Sequence, residues 1–413
     1  MKGLQLFLLN FFKNNGHFVF GSAFIGKVTG FLISLIAINF LSESDFGLVS
    51  IVNSISLVFI AMNGLGSNQI VLRYGSVLTL NEDKEGLSNY YLKNGLIKEI
   101  VLVLIFLMTS IFYIQKYDHI IFLFILFSFR LVGFYFFNHI QSELRIKGDN
   151  KGFSRVCNAV NLGMLVSVML LTYNFGMYGY LFAICFTPFI SIFWISTKVS
   201  NFSFKNLFSL SELRKYGYFT VFTAVLSDLL FSVDIILLGH FFNETSVANY
   251  RTAMLIPANI VFLSSIFMQS DYPVIAKNSD NRSYLEFYVR NYYKLFIPIV
   301  FSILLGGLIF RKWIINLFFS SQYSDISTVF AIALIGFSIS MLSRNLYGNM
   351  LSALGLMKFN TISSAFTLFV LIGLSFFLVP KYEVLGMAIS MFVSLLLSGF
   401  LLSFFFYKHL RKL

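Results

Sequence analysis

Apolar runs about as long as a membrane is thick follow one another along this chain, with short polar segments between them. A helix needs about 20 apolar residues to cross the hydrocarbon core of a bilayer. We predict twelve such helices, at residues 18–40, 46–65, 100–114, 120–140, 153–173, 176–195, 217–238, 247–268, 295–310, 329–351, 361–379 and 384–407. Since no stretch is left for a soluble domain, the pattern predicts an all-α polytopic membrane protein.

The pattern of spans repeats once along the chain. FLSESDFGLVS aligns with FFNETSVANYR at an offset of 201 residues, which pairs Glu43 with Glu244. KGFSRVCNAV aligns with KFNTISSAFT at an offset of 207 residues, which also pairs Gly179 with Gly386. We therefore predict two six-helix bundles that point the same way in the membrane, with a central cleft between them. The predicted halves are residues 1–197 and 216–413, joined by a cytoplasmic linker at residues 198–215.

Two features lie at the edges of these spans. Residues 1–16 place Leu and Phe side chains beside Lys2 and Lys13, which is typical of a short helix at the membrane interface. The third predicted span of each half is shorter than the others. We expect Lys98, Glu99 and Lys294 to extend these two helices, with their charged ends reaching the interface.

Basic residues are distributed unequally between the two sides of the predicted membrane. The chain is 57% hydrophobic and 12% charged, and its formal net charge is +12. Of its 30 Lys and Arg residues, 22 lie on the side of the N-terminus, 4 lie on the opposite side and 4 lie inside spans. Because positive charge is retained in the cytoplasm, we predict that both termini are cytoplasmic. Loops that face an anionic inner leaflet explain the net charge without nucleic acid.

Four basic side chains lie inside the predicted spans, namely Lys27, Arg130, Arg251 and Arg344. A cation in the bilayer core is costly and normally faces a water-filled cavity or a fixed partner. Lys27 and Arg130 lie deep in their spans, whereas Arg251 and Arg344 lie nearer to span ends, where reaching the interface is an equal alternative. We predict that these four residues line a cationic cavity for an anionic substrate.

Two acidic residues, Asp228 and Asp234, lie in the seventh predicted span. Asp228 can bind a coupling proton or sodium ion, or it can pair with Arg130 or Lys27, and the sequence leaves both interpretations open. For Asp234, nearer to the outer surface, we expect a structural pairing. The two carboxylates are six residues apart, about 120° around a helix, so they do not form one site.

Short motifs follow a fixed order along the spans. They are SESDFG and NGLGSNQIVLRYGS in the first half, and LLGHFFNETSVANYRTA, IINLFFSSQYSDIS, LSALGLMKFN and VPKYEVLGMAIS in the second. In order and spacing the chain resembles the polysaccharide transporter branch of the multidrug/oligosaccharidyl-lipid/polysaccharide (MOP) exporter superfamily. Within that branch it is most similar to Wzx-type O-antigen flippases. The resemblance covers nearly the whole chain and implies a MATE-like fold of two six-helix bundles.

The resemblance implies a flippase of the bacterial inner membrane. Its substrate would be a polysaccharide repeat unit linked by diphosphate to undecaprenol, moved to the periplasmic leaflet by alternating access. An O-antigen polymerase and a chain-length regulator are the implied protein partners. The basic residues agree, because guanidinium groups bind phosphate oxygens bidentately. No bond needs to be made or broken, so we expect no enzyme activity, no cofactor and no metal site.

Three other functions fit the pattern less well. A MATE-like multidrug or cation antiporter would share the architecture, but its cationic substrates favour an acidic cavity. Peptidoglycan-precursor flippases usually have two additional C-terminal spans. A membrane polysaccharide polymerase or acyltransferase usually carries a large periplasmic loop, whereas the longest one predicted here has about fifteen residues.

Overall fold

Long apolar stretches form helices in a membrane because a helix satisfies its own backbone hydrogen bonds there. The computed structural model of the protein describes residues 16–195, 209–320, 323 and 326–413. In this part of the chain there are fifteen α-helices and no strand. The helices are α1 (Gly16–Phe40), α2 (Glu43–Met62), α3 (Ser67–Gly75), α4 (Asn81–Thr109), α5 (Ile120–Ile146), α6 (Asn150–Phe186), α7 (Leu210–Leu229), α8 (Val233–Phe241), α9 (Glu244–Ile260), α10 (Phe262–Lys277), α11 (Arg282–Ile309), α12 (Arg311–Phe318), α13 (Ser327–Leu342), α14 (Arg344–Ala353) and α15 (Met357–Leu410).

These helices account for the predicted spans. Eight helical stretches in the described chain are long and apolar enough to cross a membrane, and two of them, Asn150–Trp194 and Met357–Leu410, each contain two predicted spans. The seventh and eighth predicted spans correspond to pairs of shorter helices, α7 with α8 and α9 with α10. The predicted all-α polytopic fold is confirmed, and the helices are consistent with twelve spans. The predicted interfacial helix and most of the predicted linker lie outside the described residues.

Two tight hairpins divide the two longest helices. The backbone leaves the helical conformation at Gly176 in α6 (φ 57°, ψ −135°) and at Glu383 in α15 (φ 48°, ψ −126°). Beyond each bend the chain reverses, and a Cβ atom at Gly179 or at Gly386 would collide with a backbone carbonyl of the preceding arm. The two bends are 207 residues apart, the same offset that pairs these two close-packed glycines in the sequence.

Helix boundaries repeat at the offsets of the sequence alignment. α2 and α9 begin 201 residues apart, as do α4 and α11, while α5 and α13 begin 207 residues apart, as do α6 and α15. The start of α2 is capped by Ser42 Oγ, which accepts from the Asp45 N–H (3.1 Å), and that of α9 by Asn243 Oδ1, which accepts from the Ser246 N–H (2.9 Å). One backbone pattern is therefore present twice, although the two halves share few residues.

Packing divides the described chain into two compact units. Unit 1 comprises the described residues up to Leu41 and Ile55–Val225, and unit 2 comprises Ser42–Ser54 and Leu226–Leu413. The segment Ser42–Ser54 belongs to unit 2 because the first turn of α2 packs on the first turn of α9 there. The sequence-based boundaries of the two halves remain a prediction.

The contact between the first turns of α2 and α9 is a close one. Ser44 Oγ donates to Glu244 Oε1 (3.1 Å). A Cβ atom at Gly47 would collide with the backbone carbonyl of Glu244, so the approach requires glycine at this position. Equivalent segments of the two repeats, the first turns of α2 and α9, therefore touch within unit 2.

Candidate functional site

Two of the four predicted cations belong to unit 1. Lys27 is exposed on α1. Arg130 is half-buried on α5, and its guanidinium carbon lies 5.3 Å from the ring centroids of both Phe127 and Phe134. These rings are one turn before and one turn after Arg130, so the helix itself places them beside the charge. Cation–π contacts of this kind contribute about 0.5–2 kcal/mol, depending on how far the charge is removed from water.

The other two predicted cations belong to unit 2. Arg344 is the first residue of α14, directly after the break that separates this helix from α13. Its Nε donates to Ser398 Oγ (3.1 Å), and its guanidinium carbon lies 5.0 Å from the centroid of the Phe231 ring. Arg251 is half-buried on α9. Unit 2 thus holds one guanidinium between a hydroxyl and an aromatic ring.

The two predicted acids occupy different environments in unit 2. Asp234 is buried in the first turn of α8, where it accepts hydrogen bonds from the Tyr250 hydroxyl (2.8 Å) and the Ile235 N–H (2.8 Å). It also interacts electrostatically with Arg251, so the structure brings these two predicted residues together. Asp228 is exposed in the last turn of α7, at a break in what the sequence predicted as one continuous span.

The alternative roles of Asp228 stay open. Within the ranges that the structure describes, no ion pair includes this carboxylate. Its backbone carbonyl accepts from the Phe231 N–H (3.1 Å) and closes the turn between α7 and α8. Coupling and pairing functions for Asp228 and the cationic cavity itself remain predictions.

A carboxylate that the sequence placed at the interface is buried in unit 1. α4 extends beyond its predicted span, as expected, but Glu99 is 0% exposed and does not reach the interface. Its Oε2 accepts from the Gly64 N–H at 2.7 Å. The expectation for Glu99 was wrong because the second span is interrupted beside it. The NGLG motif at residues 63–66, with two glycines inside an apolar run, was the signal for this interruption.

A row of polar side chains lies further along α5 in the same unit. Ser88 Oγ is 2.9 Å from His139 Nε2 and donates to Glu143 Oε2 (3.2 Å). Lys147 Nζ contacts Glu143 Oε1 (2.7 Å) and Glu85 Oε1 (3.0 Å). Partial burial lowers the pKa of Lys147, but hydrogen bonds and negative charge from Glu143 and Glu85 outweigh it and leave this pKa above its ordinary value.

Each unit also has a cavity that combines basic and aromatic side chains. In unit 2 a cavity of about 380 Å³ is lined by Arg290, Arg411, Tyr293, Tyr407 and the ion pair of Arg282 with Glu286 (2.9 Å), among others. In unit 1 a cavity of about 300 Å³ is lined by Phe18, Lys151, Ser154, Arg155 and Asn158. Such linings suit anionic groups. Among the described residues, no group of three His, Cys, Asp or Glu side chains is arranged to hold a metal ion.

The repeated helical pattern defines a class of multi-pass α-helical membrane proteins, and solved structures identify the fold. The lipid II flippase MurJ, in an inward closed conformation, superposes with a TM-score of 0.75 at 16% identity over 93% of this chain and 86% of that one. An inward-facing multidrug resistance MATE family transporter of the MOP superfamily gives 0.69 at 15% identity over 94% and 96%. A MOP superfamily transporter from Pyrococcus furiosus gives 0.57 at 15% identity over 94% and 93%. This chain shares its fold with these three proteins.

The family follows from the sequence. The model of the polysaccharide biosynthesis protein family matches residues 12–279, well over half of the chain, and this chain belongs to that family. No curated protein sequence matches it. The resemblance to the polysaccharide branch of the MOP superfamily is confirmed. Family and fold together describe a multi-pass membrane protein of the polysaccharide biosynthesis family.

Proposed function

We propose that this protein is a flippase for undecaprenyl-diphosphate-linked polysaccharide repeat units. It moves the units of an O-antigen from the cytoplasmic to the periplasmic leaflet of the bacterial inner membrane by alternating access. Membership of the polysaccharide biosynthesis family supports a polysaccharide pathway. The fold shared with MurJ, a lipid II flippase, supports a lipid-linked substrate.

The observation that carries this proposal is the pair of half-buried arginines, Arg130 within the apolar helix α5 and Arg344 at the break between α13 and α14. Arg130 lies against two phenylalanine rings, and Arg344 lies against one ring and one hydroxyl. A guanidinium has five N–H donors in a planar fork, so a single bond to Ser398 does not use the capacity of Arg344. Phosphate oxygens match this fork, and charge-assisted bonds to them are about twice as strong as neutral ones.

The diphosphate explains why uncompensated positive charge is kept in apolar helices. An intramembrane cation without a carboxylate partner is costly until an anion arrives. In the described chain, neither Lys27 nor Arg344 takes part in an ion pair with a carboxylate. The basic cavities of each unit offer further sites where an anionic headgroup is favourable. The polyprenyl tail stays in lipid, so only the headgroup needs a polar path.

A MATE-like multidrug or cation antiporter is the second candidate, because the fold is shared with a MATE family transporter. The fold does not separate the two functions, but the charge of the binding residues does. A cationic drug requires acidic groups, and of the two acids named above Asp234 is already hydrogen-bonded to Tyr250. Arg130 and Arg344 therefore favour the anionic substrate.

The test is a lipopolysaccharide gel. A strain that lacks its own flippase receives this chain together with the matching genes for repeat-unit synthesis. We expect a restored O-antigen ladder, absent with the empty vector. No ladder, despite protein in the inner membrane and accumulated lipid-linked units, contradicts the proposal and directs the work to a drug-efflux assay.

Substitutions then test the arginines. Arg130→Ala should abolish the ladder while the protein still inserts, and Arg130→Lys should restore only part of it, because Lys keeps the charge without the bidentate fork. Lys381→Ala is the matched control, since Lys381 is an exposed basic residue stacked on Tyr382. A normal ladder with Arg130→Ala rules out the cationic cavity.

A further inference from the structure

Glu99 in unit 1 is a fully buried carboxylate in a helix that crosses the membrane. It lies on α4 and is 0% exposed. Within the ranges that the structure describes, none of the ion pairs includes it. An ionised carboxylate away from water is very costly without a cationic partner. A group in this position requires either a compensating network or a bound cation.

An interruption of the second span builds the surroundings of Glu99. Gly64, Leu65 and Gly66 all have left-handed backbone conformations (φ 55°, 48° and 81°), so the helix stops after α2 and starts again as α3. The break frees the Gly64 N–H, which donates to Glu99 Oε2 (2.7 Å). A Cβ atom at Gly64 would lie 2.7 Å from the Tyr135 ring, so only glycine fits both the conformation and the space.

A second donor comes from the side chain that precedes the break. The Asn63 side-chain amide is oriented so that both of its polar atoms have hydrogen-bond partners. Its nitrogen donates to Glu99 Oε1 (3.2 Å), and its oxygen accepts from Asn138 Nδ2 (3.1 Å). The two Glu99 oxygens thus each face one N–H donor. Metal cations such as Na⁺ are held by several oxygen ligands. An N–H group cannot act as such a ligand, because it presents a hydrogen atom and not a lone pair. The donor set therefore suits a carboxyl that exchanges a proton.

A second group of polar side chains begins one residue further along α5 and extends to a partly exposed helix end. Asn138, which contacts the Asn63 amide, is next to His139 in α5, and His139 belongs to the buried row with Ser88 and Glu143. In the part of the chain that the structure describes, His139 Nδ1 has no hydrogen-bond partner. The row ends at Lys147 and Glu85, whose side chains are 22% and 27% exposed.

The other ionisable groups nearby do not neutralise Glu99. Tyr135 on α5 interacts electrostatically with it, and its hydroxyl donates to the backbone carbonyls of Tyr91 and Leu92. His139 lies one turn further along the same helix. The turn at residues 63–66 contributes no ionisable side chain. On α4 itself, Lys98 and Tyr91 interact electrostatically with Arg214 of α7.

We propose that Glu99, held by Gly64 and Asn63 at the break between α2 and α3, is a proton-binding site of this protein, and that its protonation drives transport. The proton enters through the row from Lys147 to His139. Proton uptake neutralises the Glu99 carboxylate. The hydrogen bonds from the two N–H donors to Glu99 then become weaker, and this loosens the contact between α2 and α4. The role in transport rests on the proposed function, whereas proton binding does not.

Infrared spectra of the full chain in lipid vesicles test proton binding without any substrate. We expect a carbonyl band of a protonated carboxylic acid that appears as the pH is lowered. The band should be lost in Glu99→Gln and kept in Glu82→Gln, the matched control that removes an exposed acid at the start of the same helix. If Glu99→Gln removes none of the titrating bands of the wild type, the proposal is overturned. Loss of the band on adding Na⁺ at constant pH also overturns it.

A second variant keeps the test valid if Glu99→Gln does not fold. Asn63→Ala removes one donor to the charged form, so the band should appear at a pH about one unit higher than in the wild type. An unchanged midpoint contradicts the assignment of the site.

For transport, we expect Glu99→Gln to reduce the O-antigen ladder at least tenfold. If the wild type shows the titrating band but no ladder, the proposed function fails and the proton site stands. A normal ladder with Glu99→Gln, in a protein whose wild type shows the band, overturns the role in transport.

Discussion

Glu99 in unit 1 and Val300 in unit 2 hold equivalent positions in the repeated helices α4 and α11, 201 residues apart, yet one is an acid and the other is apolar. Both are buried, at 0% and 4% exposure. Val300 packs in the apolar core of unit 2 with Tyr292 and Phe296. The same helix position is therefore occupied by a buried carboxylate in unit 1 and by an apolar core residue in unit 2.

The polar link beside this position is nevertheless repeated. In unit 1 the Asn138 amide contacts Asn63, and in unit 2 the equivalent Asn345 accepts from Ser265 Oγ (3.4 Å) and donates to Ser264 Oγ. Both links join the second helix of the repeat, which is broken, to the fourth. Unit 2 forms the link between its second and fourth helices without an acid, so the carboxylate of Glu99 is not needed for such a link. This difference is what suggests a functional role for Glu99.

The charges predicted from the sequence show the same asymmetry. Under the offsets of the repeat, Lys27 aligns with Asp228, Arg130 with Phe337, Arg344 with Phe137, Arg251 with Ser50 and Asp234 with Ile33. No basic residue of this set is matched by another basic residue. The backbone architecture is therefore duplicated, but each of these charged side chains is present in only one of the two repeats.

The largest effect is expected from placing the acid in unit 2. Val300→Glu would bury a carboxyl where the N–H equivalent to that of Gly64, the Ser265 N–H, already donates to the Val261 carbonyl (3.1 Å). We expect the free energy of unfolding to fall by about 3–5 kcal/mol. Thermal unfolding of the purified protein measures this. Val300→Thr, of nearly the same shape, is the control and should cost less. A Val300→Glu protein as stable as the wild type would mean that unit 2 can also accommodate the acid.

The reverse exchange sharpens the comparison. Glu99→Val leaves the buried Gly64 N–H without its acceptor, which should lower the free energy of unfolding by about 1–3 kcal/mol. Glu99→Gln keeps an acceptor oxygen and should lose less. Thermal unfolding of the three proteins side by side gives the ranking. Equal stability of wild type and Glu99→Val would show that the network around the helix break contributes nothing.

The two hairpins offer a matched pair with smaller effects. Gly176 and Glu383 share a backbone conformation that is favourable only for glycine. Gly176→Ala should therefore destabilise the protein by about 1–3 kcal/mol, and Glu383→Gly should stabilise it by roughly 1 kcal/mol. Melting temperatures in detergent are the measurement. Shifts of the same sign in both variants would contradict the equivalence of the two bends.

The smallest effect concerns the charged end of the row in unit 1, where Leu354 and Met350 of unit 2 hold the positions equivalent to Lys147 and Glu143. Because its folded-state pKa is raised, Lys147 contributes stability below its unfolded pKa of about 10.4, and this contribution is lost as the pH rises through the higher folded pKa. We expect Lys147→Met to cost at most about 1 kcal/mol at neutral pH. The difference from wild type should shrink above pH 10.4, as followed by thermal unfolding across pH. A difference that grows with pH would contradict the assignment.

Much of the fold could be predicted, because each apolar run that is long enough to cross the bilayer predicts one membrane-spanning helix. The repeat was recognisable as well, since positions such as Glu43 and Glu244 start equivalent helices. The breaks were harder to predict. Asp228 was expected in the middle of one helix but lies where α7 ends, because a short non-helical turn leaves the average hydrophobicity of a span unchanged.

The amino-acid sequence by itself determined the membrane-spanning helical architecture, its duplication and the excess of basic residues within the spans. These properties depend on local composition and periodicity, which are independent of which helices pack together. Only the tertiary structure decided that Glu99 is buried against the Gly64 N–H and that Asp234 is held by Tyr250. Burial and hydrogen bonding of a charged side chain depend on neighbours that are distant in sequence, such as the turn 35 residues before Glu99, and no local pattern encodes those neighbours.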